Sequence, residues 1–147
     1  MKSILKSIAQ WSPIPLTKEQ LLNAQIKGAI RANLNPDSNC VDVGCQEGDI
    51  FDFICQTAPK GQHFGFEPIP DFFENLEERY MFKSNCHISD VALSNEKTAT
   101  HFNYVITNPS YSGLRRRSYD RRGERDVQIL VETDLLDNRI PEDVHID

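Results

Sequence analysis

Apolar positions along this chain recur first at helical and then at strand intervals. Leu21, Leu22, Ile26, Ala29, Ile30 and Leu34 follow Thr17-Lys18-Glu19-Gln20, which has capping-box spacing, so Lys18 to about Asn33 is expected to be an amphipathic helix. Asn35-Pro36-Asp37-Ser38 ends it. Cys40 to Val43 then reads as a short buried strand, Gly44 to Gly48 as a glycine loop, and Asp49 to Cys55 as a helix. After the turn Pro59-Lys60-Gly61, His63 to Glu67 reads as a second strand. Pro68-Ile69-Pro70 leads to a helix capped by Asp71, with Glu74 three residues on and Phe72, Phe73, Leu76 and Tyr80 as its apolar face.

His87 to Leu93 reads as a third strand, Thr100 to Thr107 and Val127 to Glu132 as further strands, and Asp143 to Asp147 as a last one starting after Pro141. Strands alternating with helices predict an α/β fold, a Rossmann-like doubly wound and mostly parallel sheet with helices on both faces. The expected organisation is an N-terminal helical segment over residues 1–38 and a sheet domain over 39–147. Such a domain normally continues beyond its last strand, so either that strand sits at a sheet edge or, as the order of segments suggests, the chain is the front portion of a longer fold and C-terminally truncated. The open ladder of that strand is then a route to self-association.

With 147 residues, 39% hydrophobic and 26% charged, the chain has room for one core and an ordinary globular composition. Its net charge of -6 is uneven: Arg115 to Arg125 holds six arginines against Asp120 and Glu124, a local +4. One short basic run on an otherwise acidic chain argues against a general nucleic-acid binder. The run reads as a solvated loop, as an anion site for a phosphorylated or carboxylated acceptor, or as an RNA contact, for which only Tyr111 and Tyr119 supply aromatics. Cys40, Cys45, Cys55 and Cys86 have neither metal-ligand nor CxxC spacing, so reduced thiols and no metal are expected. Lys2 and Lys6 interrupt the first residues where a signal peptide needs an apolar stretch, and no apolar run is long enough for a membrane span; a cytoplasmic protein is expected.

Ligands of parallel sheets bind at the carboxyl ends of the strands, and three features fall there. The first is Asp42-Val43-Gly44-Cys45-Gln46-Glu47-Gly48, which reads as a ligand loop or as a plain strand-to-helix turn. The second is Glu67, about twenty positions on, an acceptor for ribose hydroxyls or a surface carboxylate. The third is Asp90, an acceptor for an adenine amino group or a loop cap. Together they describe an adenosine site. Gln46 stands where a dinucleotide loop has its second glycine, and Glu47 and Asp49 would repel phosphate, so an adenosine ligand without phosphate fits better. S-adenosyl-L-methionine, whose sulfonium is cationic, is such a ligand.

At these residues the chain resembles a known family. Asp42 to Asp49, Phe66-Glu67-Pro68-Ile69-Pro70 and Val91-Ala92-Leu93-Ser94 are similar to three successive signatures of the FkbM-type S-adenosylmethionine-dependent methyltransferases. Ser112-Gly113-Leu114, Val131 to Asp137 and Val144-His145-Ile146-Asp147 fall in the order of that family's later segments, so the likeness spans Asn39 to Asp147. The resemblance implies a donor site made by Asp42, Gly44, Cys45 and Gly48 at the methionine part, Glu67 with Pro68 at the ribose, and Asp90 with Val91 at the adenine. It also implies that Val144 to Asp147 pairs beside Val41 to Val43, with Asp147 near the methionine end. The implied reaction is O-methylation of a hydroxyl on a small molecule or glycan. His145 is a candidate base, or simply a packed strand histidine; no other catalytic residue is evident. The rival readings are a donor-binding chain without catalysis and, more distantly, an NAD-dependent oxidoreductase.

Overall fold

The computed structural model describes residues 18–118 and 123–147. Thr17 of the expected capping box, and Arg121 and Arg122 of the basic run, lie outside the described residues. Helix α1 spans Lys18–Asn33, β1 Cys40–Val43, α2 Asp49–Thr57, β2 His63–Phe66, α3 Pro70–Tyr80 and β3 Cys86–Ser89. There follow β4 (Ala92–Leu93), β5 (Thr98–Val105) and β6 (Asp126–Asp134), with single 3-10 turns at Pro109–Tyr111 and Leu136–Asn138.

Strands β1, β2 and β3 form a parallel sheet in sequence order, with Cys40 opposite His63 and His63 opposite Cys86. Each strand is joined to the next through a helix, as parallel neighbours require, and this is the βαβ half of a Rossmann-like fold. The centre of β2 leaves little space. A Cβ on Gly65 would lie 2.9 Å from Cys45 Sγ and 2.8 Å from Ile88 Cδ1, so glycine lets the α2 side of the core close onto the strand. There Phe51 and Tyr80 meet edge to face at 5.0 Å, with Cys45, Leu76 and Cys86 around them.

The single doubly wound sheet does not form over the rest of the chain. Strand β4 leaves the first sheet and pairs with β6 in parallel, and β6 pairs with β5 antiparallel from Thr98–Thr133 to Val105–Asp126, giving a second sheet ordered β4-β6-β5. The segment between β5 and β6 carries no helix beyond a 3-10 turn among its described residues. Without a crossover helix, successive strands pair antiparallel. The expected strand His87 to Leu93 is therefore two strands in two sheets, separated by exposed Asp90 and buried Val91.

Two further expectations are corrected. Helix α3 begins at Pro70 with Ile69 as its N-cap, because proline suits the first helical position; Asp71 lies in the first turn and does not cap. Val144 to Asp147 forms no strand. The side chains of Val144 and Ile146 pack over Phe64, Phe66 and Val91, and a single backbone bond, Asp147 N to Asn39 O at 3.1 Å, ties the segment to the start of β1. Burial of the apolar side chains on the sheet face takes the place of a ladder. Helix α1 forms as expected, but Leu21, Leu22 and Ile26 stay exposed; Lys27 and Arg31 lie 5.5 and 5.2 Å from the Phe53 ring and tie it to α2.

Candidate functional site

A cleft of about 410 Å³ opens at the carboxyl ends of β1 and β2. Its inner wall is Val43, Gly44, Gln46, Phe66, Glu67 and Pro68, and β4 adds Ala92 and Leu93 beside Val91. The outer wall comes from Phe102 of β5 and from Ser110, Ser112, Gly113 and Arg117 in the connection that follows it. The cleft therefore lies across the join of the two sheets.

The glycine loop is built by its backbone. Gly44 (φ 82) and Gly48 (φ 86) both take left-handed conformations, and Gly48 is the N-cap of α2. A Cβ at Gly48 would also meet Leu76 Cδ2 at 2.6 Å, so this position is closed to side chains twice over. Gln46, at φ 48, is the one non-glycine among the described residues with positive φ. Glu67 holds it there, because Glu67 Oε2 accepts the Gln46 N–H at 2.8 Å while Oε1 accepts the Ile69 N–H at 2.9 Å. Glu67 is 2% exposed. Burial raises its pKa above the usual 4.5, and the two N–H groups pull the other way. Asp42 behaves similarly, its pKa raised by burial, and its Oδ2 is buried without a hydrogen-bond partner among the described residues.

No protein-family model matches this chain, and no curated protein matches it. Among solved structures it is similar to methyltransferase FkbM from Methylobacillus flagellatus KT, at 12% identity and a TM-score of 0.48, over 76% of this chain and 25% of that one. This chain therefore spans about a quarter of that protein's length.

Of the residues singled out in the sequence, Gly44, Glu67, Pro68 and Val91 stand together on the cleft wall. Asp42 lies just behind them on β1, and Gly48 starts the next helix. Cys45 turns its side chain into the core beside Phe51 and Leu76, where burial and the neighbouring Asp42 push its thiol pKa up, so only its backbone belongs to the loop. Asp90 is exposed and is not on the cleft wall; the sheet switch that buries Val91 turns Asp90 outward. Asp147 lies at the wrong end of β1: its carboxylate accepts the Asn39 N–H at 2.9 Å, and Asn39 precedes the strand's amino end. At about 3.3 Å per strand residue this is roughly 15 Å from Gly44. His145 shares that far end through its backbone O, which accepts from Asn39 Nδ2 at 2.7 Å, and its side chain is exposed, so it is neither a packed strand histidine nor near the cleft.

The outer wall was missed. Phe102 and Ser110 carry no local signal, since they reach the site only through the β5–β6 pairing. The arginine run and Ser112-Gly113-Leu114 were the available hints. Arg115, Arg116, Arg117 and Arg125 are exposed, and Arg116 is forked onto Asp126 at 2.7 and 3.1 Å. Among the described residues no group of three or more His, Cys, Asp or Glu is placed to hold a metal ion, and no helix is long and apolar enough to cross a membrane.

Proposed function

We propose that this chain binds S-adenosyl-L-methionine in the cleft and serves methyl transfer to a hydroxyl of a small molecule or glycan. The observation that carries the reading is Glu67, a buried acid on the cleft wall just past the carboxyl end of β2. Each of its oxygens accepts one N–H and keeps a further acceptor position, which suits the two adjacent hydroxyls of a ribose. Phe66, Ile69, Val91, Leu93 and Phe102 offer apolar surface for a flat base. The volume falls within the roughly 300 to 1,000 Å³ of small-molecule sites. Asp42, whose buried Oδ2 has no hydrogen-bond partner among the described residues, adds negative potential behind the glycine loop, which favours a cationic ligand. Glu47 and Asp49, both exposed at the loop, disfavour a phosphate there.

When bound, the donor supplies an electrophilic methyl group on its sulfonium. The chain's own contribution is placement: Glu67 orients the ribose, the Gln46 backbone fixes the loop, and the second sheet closes the outer side. Rate then comes from alignment rather than covalent catalysis. A second reading, donor binding without transfer, is favoured by the composition of the wall, which among the described residues contains no His, Lys, Tyr or Asp to take a proton.

Calorimetry tests the binding. S-adenosylhomocysteine is expected to bind and NAD not to, and Glu67→Ala is expected to weaken binding about ten- to hundredfold through lost charge-assisted hydrogen bonds. Equal or tighter binding of NAD refutes the reading. A methyl-transfer assay with hydroxylated acceptors then separates transfer from binding alone.

A further inference from the structure

We propose that Arg117 is the anion-recognising residue of this cleft and holds a carboxylate or phosphate of the molecule bound there. The inference takes only the location of that molecule from the reading above. The segment after β5 is pinned back onto it: Asn103 N donates to Gly113 O at 2.9 Å, Gly113 N to Asn103 O at 3.1 Å, and Val105 N to Ser112 Oγ at 3.0 Å. Ser110 Oγ comes within 3.5 Å of Gln46 Oε1, so the segment reaches across to the glycine loop. Three consecutive arginines follow. Arg116 is turned to the β6 side, forked onto Asp126 and grouped with Asn103, Val127 and Gln128. Arg117, next along, is on the cleft wall.

Among the described residues the cleft wall then holds two charged side chains, one of each sign. Glu67 is acidic and already oriented by two backbone donors; Arg117 is basic. They do not pair with each other, and among the described residues no carboxylate lies within 4.0 Å of Arg117. A guanidinium on a concave wall, with no counter-charge among the described residues, matches a carboxylate or phosphate by its planar fork of donors. Ser112 shares that wall, and its hydroxyl, which accepts from Val105, keeps its own proton to donate. A ligand that offers hydroxyls or positive charge at one end and an anion at the other satisfies both. Two sources supply such an anion: the carboxylate of the donor itself, or an anionic group on the second substrate.

Inorganic phosphate is the first probe, followed through the amide resonances of Ser110 and Gly113. Shifts are expected in the wild type and in Arg115→Gln, to weaken about tenfold in Arg117→Gln, and to recover in part in Arg117→Lys. S-adenosylhomocysteine and methylthioadenosine, which lacks the amino-acid part, are the second pair. If Arg117→Gln weakens the former and spares the latter, the anion is the donor's carboxylate; if it spares both while phosphate is lost, the anion belongs to the second substrate. Either result supports the proposal. Equal phosphate shifts in wild type and Arg117→Gln, or an equal loss in Arg115→Gln, overturn it. Phosphate bound through Arg117 in a chain that binds no S-adenosylhomocysteine would refute the donor reading and leave this one standing.

Discussion

Glu67→Gln separates the structural and ligand-facing roles of the acid at the centre of the site. The carboxylate accepts the Gln46 N–H at 2.8 Å and the Ile69 N–H at 2.9 Å, and glutamine keeps the shape while turning one acceptor into a donor. One N–H then faces an NH2 group, at about 1 to 3 kcal/mol for a buried donor left unsatisfied. Loss of the charge weakens the bond that remains, and relief of burying that charge, which raises the Glu67 pKa, works against this. Release of Gln46 from its left-handed conformation returns about 1 kcal/mol. The net is a destabilisation of up to about 2 kcal/mol, or a melting temperature lower by up to about 8 °C for a chain of this size. Urea unfolding without ligand measures it, and hydrogen exchange at the Gln46 amide should quicken in parallel. Combining Glu67→Gln with Gln46→Gly should cost less than the single substitutions sum to, since the loop is then unstrained. An unchanged midpoint with unchanged Gln46 exchange would refute the idea that Glu67 builds the loop.

His63 is fully buried, its Nε2 donating to Ala58 O at 2.7 Å and its Nδ1 without a partner among the described residues, so burial lowers its pKa below 6.5. The unfolded chain takes up a proton as the pH falls through 6.5 and the folded chain does not, so stability is full above 6.5 and declines below it, by at most about 1.4 kcal/mol per pH unit from this group. NMR titration should keep the His63 ring neutral to below pH 6.5, and a midpoint at or above that value refutes the assignment. Cys55 and Cys86 place their sulfurs 3.5 Å apart, and their shared hydrogen bond holds the Cys86 thiol below its usual pKa. Oxidised glutathione should convert the two thiols to one disulfide, itself reduced to two thiols, with buried Cys40 and Cys45 untouched in peptide mass mapping; mixed glutathione adducts alone would refute the pairing.

The first half of the fold was legible because each element there has its own period and its own stop. β1 and the α1 bounds match the sequence reading, and the glycine loop and Glu67 fall where a strand-loop-helix unit puts them. What was not legible is pairing at a distance. His87 to Leu93 has one continuous strand-like composition whether it runs in one sheet or changes sheets at Asp90, and only the partner strand decides. Val144 and Ile146 likewise have the spacing of strand residues, yet the same alternation serves a segment laid over Phe64 and Phe66. Asp147 and His145 were misplaced for that reason, having been located through a strand that does not form.

The change of sheet also makes the cleft. If Ser89 ran on into Ala92 within one ladder, Val91 to Leu93 would lie along the edge of the parallel sheet, with no second sheet to face Glu67. Because β4 pairs with β6 instead, Phe102 and Val131 pack with Ala92 and Ile69, and the segment carrying Ser112 and Arg117 is held opposite the glycine loop. The acidic side of the cleft is thus set by local sequence, through β1, the glycine loop and β2, while the basic side depends on long-range pairing. Ligand affinity that depends on Arg117 must therefore fall with any substitution that loosens the Asn103–Gly113 bridge, whereas affinity that depends on Glu67 alone need not.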